Sequence, residues 1–194
     1  MKKHLFSSGV GLALLIVVAF SGTASAATIT FSEYPVGTLV DNQYAGLGVV
    51  FSPGGVNGTL PIIANDGAMP GSPVLSPNPP YNGDFWMTFT SPTDYVQFEA
   101  GYWDTLSTGV INVYDPFATF LLTATNLGYG AETFTFQGLG NIGYIYFNSI
   151  NDPAGADIDN LTFYAVPEPS TLLLLGSGLA GLGLWGRKRF KANS

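Results

Sequence analysis

Phe85, Met87 and Phe89 alternate with Trp86, Thr88 and Thr90, and the same two-residue period recurs almost to the C-terminus. Val96, Phe98 and Ala100 alternate with Tyr95, Gln97 and Glu99, and further runs occupy 111–114, 119–125, 132–136, 144–148 and 158–164. Successive side chains of a strand point to opposite faces, so this period buries one face and wets the other. Turn-forming clusters, Ser91-Pro92-Thr93-Asp94, Asp115-Pro116 and Asn151-Asp152-Pro153, separate the runs. Helical periodicity is confined to the two termini. The chain therefore reads as all-β, an antiparallel β-sandwich of jelly-roll type over residues 27–165. Residues 54–83 depart from the pattern. Crowded with proline and glycine, they read as long loops.

Charge is distributed just as unevenly. All six Lys and Arg residues lie outside 27–165, as does the single histidine, His4, whereas 12 of the 13 acidic residues lie inside. The formal net charge of −7 thus conceals a central region of −12 without one positive side chain. Without histidine or cysteine there is no Ser-His-Asp or Cys-His nucleophile and no ordinary zinc or copper site. Without Lys or Arg there is no P-loop, no Schiff base and no electrostatic attraction for nucleic acid. Absence of cysteine also means that the core holds without disulfides. Two chemistries survive: a carboxylate pair acting on a glycosidic bond, and oxygen ligands for calcium.

The termini speak of transport. Lys2 and Lys3, an apolar run over 5–20, and Ala24-Ser25-Ala26 make an export signal over residues 1–26, cut by signal peptidase after Ala26. At the other end, residues 171–186 are uncharged and are followed at once by Arg187, Lys188 and Arg189. This pattern predicts one short transmembrane helix with a basic stop-transfer cluster on the cytoplasmic side. Its 16 residues rise only about 24 Å against a hydrocarbon core of ~30 Å. Local thinning of the bilayer and snorkelling of Arg187 and Lys188 accommodate the difference. Gly176, Gly178 and Gly181 match G-x-G-x-x-G, but no acidic residue follows them, so the nucleotide reading fails.

Val166-Pro167-Glu168-Pro169, the Leu/Gly-rich helix and the Arg-Lys-Arg cluster together resemble a PEP-CTERM sorting signal over 166–194, with the basic tail at 187–191. The resemblance implies an exosortase that recognises the tail and cuts near Pro-Glu-Pro. It further implies export from a Gram-negative bacterium that makes extracellular polysaccharide, transient anchoring in the inner membrane, and delivery to the cell surface or matrix. The stretch TITFSEYPVGTLVDNQYAGLGVVFS and the closing DIDNLTFYAV resemble the first and last strands of jelly-roll domains similar to carbohydrate-binding modules. That likeness implies adjacent first and last strands with a structural calcium where they meet. The matching acidic positions are Glu33, Asp157 and Asp159, and Asp159 fits best.

Four aromatics suit a sugar platform. Trp86 and Tyr114 fall on the more polar faces of their strands, and Tyr102 and Trp103 follow Gly101 near a turn. The expected function is a non-catalytic surface or matrix protein associated with extracellular polysaccharide. A carboxylate-dependent glycosidase and an adhesive subunit that binds protein are the alternatives.

Overall fold

The computed structural model describes residues 26–165, apart from 70 and 72, together with 176–178. Nine strands follow in chain order: β1 (Ala26–Ile29), β2 (Val49–Pro53), β3 (Ile62–Ala64), β4 (Val74–Ser76), β5 (Asp84–Trp103), β6 (Val110–Tyr114), β7 (Phe120–Ala124), β8 (Gly130–Asn148) and β9 (Asp157–Ala165). A single 3-10 turn, Ala45–Leu47, lies between β1 and β2. Every pairing is antiparallel. These elements all fall within one compact unit bounded by Thr23 and Glu168.

The frame is the long ribbon made by β5 and β8, which pair from Asp84 opposite Asn148 at one end to Trp103 opposite Gly130 at the other. The first part of β5 carries β2 on its free side, while the last part of β8 carries β6 and then β7. Further along, β5 pairs instead with β9, which in turn holds β1 and β4, and β4 holds β3. The ribbon folds over at its middle. Its two ends consequently face each other across the core, with the rings of Trp103 and Phe147 6.1 Å apart. Phe89 and Phe163 meet in the same way at 5.1 Å. Two layers result, joined through shared strands rather than separated.

The fold line explains one departure from the sequence reading. Ser91-Pro92-Thr93-Asp94 was expected to separate two strands, yet it lies inside β5. Register jumps there, from Thr88 opposite Tyr144 to Thr93 opposite Ile142, and again before Tyr95 opposite Gln137. Pro92 has no N–H to give, and it sits where the ladder is already interrupted. On β8 the compensating extra residues include Gly138 and Gly140, both at positive φ, where glycine bends a strand without strain. Residues 54–83 also differ from expectation, since β3 and β4 form a short antiparallel pair within them.

Alternation governs burial as anticipated. Phe85, Met87, Val96, Phe98, Ala100, Ile145, Phe147, Ile158 and Leu161 have no exposed surface and belong to one apolar cluster with Ile29, Phe31 and Val49. Each of these side chains except Ala100 contributes about 1.5–3 kcal/mol through burial. The 26 residues of that cluster explain why no disulfide is needed.

Candidate functional site

Because Phe85, Met87, Ile145, Phe147, Ile111 and Val113 point inward, their neighbours in sequence must face out. Strand register then arranges these neighbours in two rows. Ser52 lies opposite Trp86, Trp86 opposite Tyr146, Tyr146 opposite Asn112, and Asn112 opposite Thr123. One step along, Val50, Thr88, Tyr144, Tyr114 and Phe120 make the second row. Aromatic rings from the two rows pack together: Trp86 lies 4.8 Å from Tyr146 and 5.5 Å from Tyr114, and Tyr114 lies 5.8 Å from Phe120.

Between them is a cleft of about 340 Å³ lined by Ser52, Trp86, Thr88, Tyr114, Ala118 and Tyr144. One wall belongs to the β6–β7 hairpin. Its tip is held by the Asp115 carboxylate, which accepts the Phe117 N–H at 2.8 Å and the Thr119 N–H at 2.7 Å. The Thr119 N–H above all, with the Phe117 N–H and the Thr119 hydroxyl, holds the Asp115 carboxyl below its ordinary value against an opposing effect of burial. Gly143 lets the hairpin approach, because a Cβ there would stand 2.5 Å from the Pro116 Cα.

At the end of the aromatic rows lies Asp84, two residues before Trp86 on the same face of β5 and buried. Its Oδ2 accepts the Tyr146 hydroxyl at 2.7 Å and the Val56 N–H at 2.9 Å, while Oδ1 accepts the Asn57 N–H at 3.1 Å. Gly54 is required alongside, where any Cβ would collide with this carboxylate. Burial and the bond to Asp84 push the Tyr146 hydroxyl up to about 12. Tyr146 is thereby fixed as a neutral donor. By contrast, no described residue engages the side-chain hydroxyls of Ser52, Thr88, Tyr114 or Tyr144, so four neutral donor-acceptors face the cleft.

The structure thus brings Trp86 and Tyr114 together. Tyr102 lies elsewhere, half exposed beside a separate cavity of about 260 Å³ lined also by Asp66, Tyr81 and Asp104. Trp103 must be removed from the surface set. It has no exposed area, packs against Phe147, and leaves its indole N–H without a partner. Being two residues past Gly101, it turns inward at the end of β5, and no face outside the core is open to it. Tyr144, Tyr146 and Ser52 were missed, although Tyr144 and Tyr146 alternate with Ile145 and Phe147 in a run already read as a strand.

The acidic residues divide into two groups. β1 pairs with β9, as the resemblance implied, and this places Glu33 near Asp159. Glu99 lies directly opposite Asp159, and the Asn160 amide donates to both carboxylates at 3.2 Å. Burial, with Glu99 and Glu33 nearby, raises the Asp159 carboxyl to about 6, although the Asn160 N–H opposes the shift. Glu33 behaves oppositely. Burial pushes it up, but hydrogen bonds from its own N–H, from Thr30 and from the Tyr44 hydroxyl prevail and lower it. Asp157 faces different company, namely Ser76, Asp66 and Tyr81. It is wholly buried, and neither oxygen makes a hydrogen bond of normal geometry. Burial above all raises its carboxyl to about 8, against a lowering contribution from Ser76. Among the described residues no three acidic groups converge closely enough to hold a metal ion. Asp157 therefore does not join Glu33 and Asp159 in one ligand set.

Val166, Pro167, Glu168, Pro169, Arg187, Lys188 and Arg189 lie outside the described residues, as does residue stretch 1–25. Of the helix expected over 171–186 only Gly176, Ser177 and Gly178 are described, and these are helical. No helix among the described residues is long and apolar enough to cross a membrane.

Comparison with known proteins identifies the C-terminal segment. Residues 165–188 match the family model for the PEP-CTERM protein-sorting motif, so the chain carries that motif. No curated protein matches the chain. Among solved structures, the K2 cleaved adhesin domain of Lys-gingipain is 13% identical, with 72% of this chain and 99% of that one covered and a TM-score of 0.39. A family 29 carbohydrate-binding module is 14% identical over 76% of this chain and 99% of its own, with a TM-score of 0.34. The K1 cleaved adhesin domain of Lys-gingipain from Porphyromonas gingivalis W83 is 13% identical, with 73% and 99% covered and a TM-score of 0.34.

Proposed function

We propose that this chain is exported, sorted to the cell surface or matrix through its PEP-CTERM motif, and there binds polysaccharide without cleaving it. The observation that carries the binding reading is the cleft walled by Trp86, Tyr114 and Tyr144, with four unengaged hydroxyls. Flat aromatic faces bury the apolar faces of sugar rings, and free hydroxyls exchange hydrogen bonds with sugar hydroxyls. In this reading signal peptidase removes residues 1–26, the helix at 171–186 holds the protein briefly in the inner membrane, and an exosortase then acts near Val166-Pro167-Glu168-Pro169. The jelly-roll description of the sandwich belongs to the same reading.

Catalysis is disfavoured by the lining itself. A glycosidase places two carboxyl groups on either side of the scissile bond. None lines this cleft, and Asp84, two residues before Trp86, already accepts three hydrogen bonds. The test is retention of the full-length chain by the producing organism's extracellular polysaccharide, with free glycan as competitor. Retention that the competitor abolishes supports the reading. Its absence moves the assignment to an adhesive subunit that recognises protein.

A structural calcium near Asp159 also belongs to this proposal, on weaker geometry. Glu33, Glu99 and Asp159 gather negative charge with no cation among the described residues to oppose it. As they stand, however, their oxygens are engaged by Thr30, Tyr44 and Asn160. An ion would have to draw them together, so no step of the function is assigned to it.

A further inference from the structure

We propose that the aromatic cleft selects uncharged polysaccharide chains and rejects polyanionic ones. This rests on the glycan-binding reading above and adds the chemical class of the ligand.

Everything that lines the cleft is neutral: two hydroxyl side chains, two phenols, one indole and one methyl group. Such groups match the hydroxyls and apolar faces of a neutral sugar. A uronate or sulfate ester needs more, because an anion taken from water must meet a cation or several converging N–H donors. Here it meets neither. The whole of 27–165 contains no Lys, Arg or His, so no side chain within the fold can rotate in to supply the charge.

The nearest charges make matters worse for an anion. Asp115 directly follows Tyr114 on the hairpin that walls the cleft, and its two N–H partners keep it ionised. Asp84 lies two residues before Trp86 on the same face of β5, bonded to Tyr146. The other acidic side chains of the region, Asp157 aside, add a long-range field of the same sign. Selectivity therefore has two sources: absence of an anion partner, and repulsion that salt can screen.

Affinity electrophoresis of the full-length chain through gels containing matched neutral and anionic polymers tests this. Suitable pairs are hydroxyethylcellulose with carboxymethylcellulose, galactomannan with its carboxymethyl derivative, and xylan with glucuronoxylan. Buffers are stripped of divalent cations, and a thermal melt first verifies the fold under those conditions. Expected is retardation by at least one neutral polymer that exceeds its anionic partner at least tenfold at low salt. The gap should narrow at high salt, and Trp86→Ala should abolish the retardation. Equal or stronger retardation by the anionic member, still dependent on Trp86, overturns the selectivity and leaves glycan binding standing. Binding that ignores Trp86→Ala, or no retardation in any gel, overturns the site together with its selectivity.

Discussion

The Asp84 carboxylate accepts a 2.7 Å hydrogen bond from the Tyr146 hydroxyl, across the β5–β8 ribbon at the end of the aromatic rows. It also holds the Val56 and Asn57 N–H groups, so one buried side chain ties a loop to Tyr146 in the aromatic rows. Asp84→Ala strands three donors at once. Leaving buried groups unpaired costs about 1–3 kcal/mol each, offset where water enters. Urea denaturation should show a loss of at least about 2 kcal/mol. Asp84→Asn, which keeps the shape and one acceptor oxygen, should lose less.

The two tryptophans of β5 should separate binding from stability. Trp103→Ala empties a buried site and should destabilise the fold by about 3–5 kcal/mol. Trp86→Ala removes a half-buried surface ring and should cost much less stability while reducing glycan retention at least tenfold. Thermal melts and affinity gels on the same two variants check both halves. Equal effects on melting would place Trp86 in the core.

Gly143 tests the hairpin wall. Its missing Cβ leaves room for the Pro116 backbone, and a methyl group there must push the hairpin outward. Gly143→Ala should weaken glycan retention by widening the cleft while Trp86 remains in place. Crystallography of the variant should show the hairpin displaced. An unmoved hairpin with unchanged retention removes it from the site.

Acidity should stabilise this protein, measured without calcium. The Asp157 carboxyl titrates near 8 in the fold, against an ordinary carboxylate value of 3.8 when unfolded. A raised folded value means that the native state binds the proton more tightly than the unfolded chain does. The associated stability is complete below pH 4 and is lost as pH rises through 8, with a swing of a few kcal/mol. Asp159, raised to about 6, adds a loss in the lower half of that window. Melting temperature should therefore fall steadily from pH 4.5 to pH 8.5. Asp157→Asn should flatten the slope and raise the melting temperature at pH 8.

Calcium makes its own prediction. If an ion gathers Glu33, Glu99 and Asp159, then a chelator should lower the melting temperature by several degrees at pH 7. Asp159→Asn should give a melting temperature that neither chelator nor added calcium changes. A melt indifferent to chelator and calcium alike ends the calcium assignment.

Much of the strand content was legible because alternation is local: the residue two places on shares the same face whatever the rest of the chain does. The same logic put Trp86 and Tyr114 on outward faces. It did not reach Trp103, which was chosen for following Gly101 near a turn, whereas β5 runs on through it with a register shift between Ala100 and Trp103. It failed at Ser91-Pro92-Thr93-Asp94, where turn-forming residues serve a bulged corner of one strand instead of a break between two.

The sequence by itself determined that 27–165 is all-β and carries no positive charge, and that a sorting motif follows it. These are properties of composition, short-range period and contiguous motif. Only the tertiary structure decided which aromatics line the cleft. Ser52, Trp86, Tyr146 and Asn112 are far apart in the chain and become neighbours through register across four strands. Likewise Trp103 reaches Phe147 only because the ribbon folds over on itself. Register and layer packing arise from the summed burial of the whole core, so no short stretch of sequence contains them.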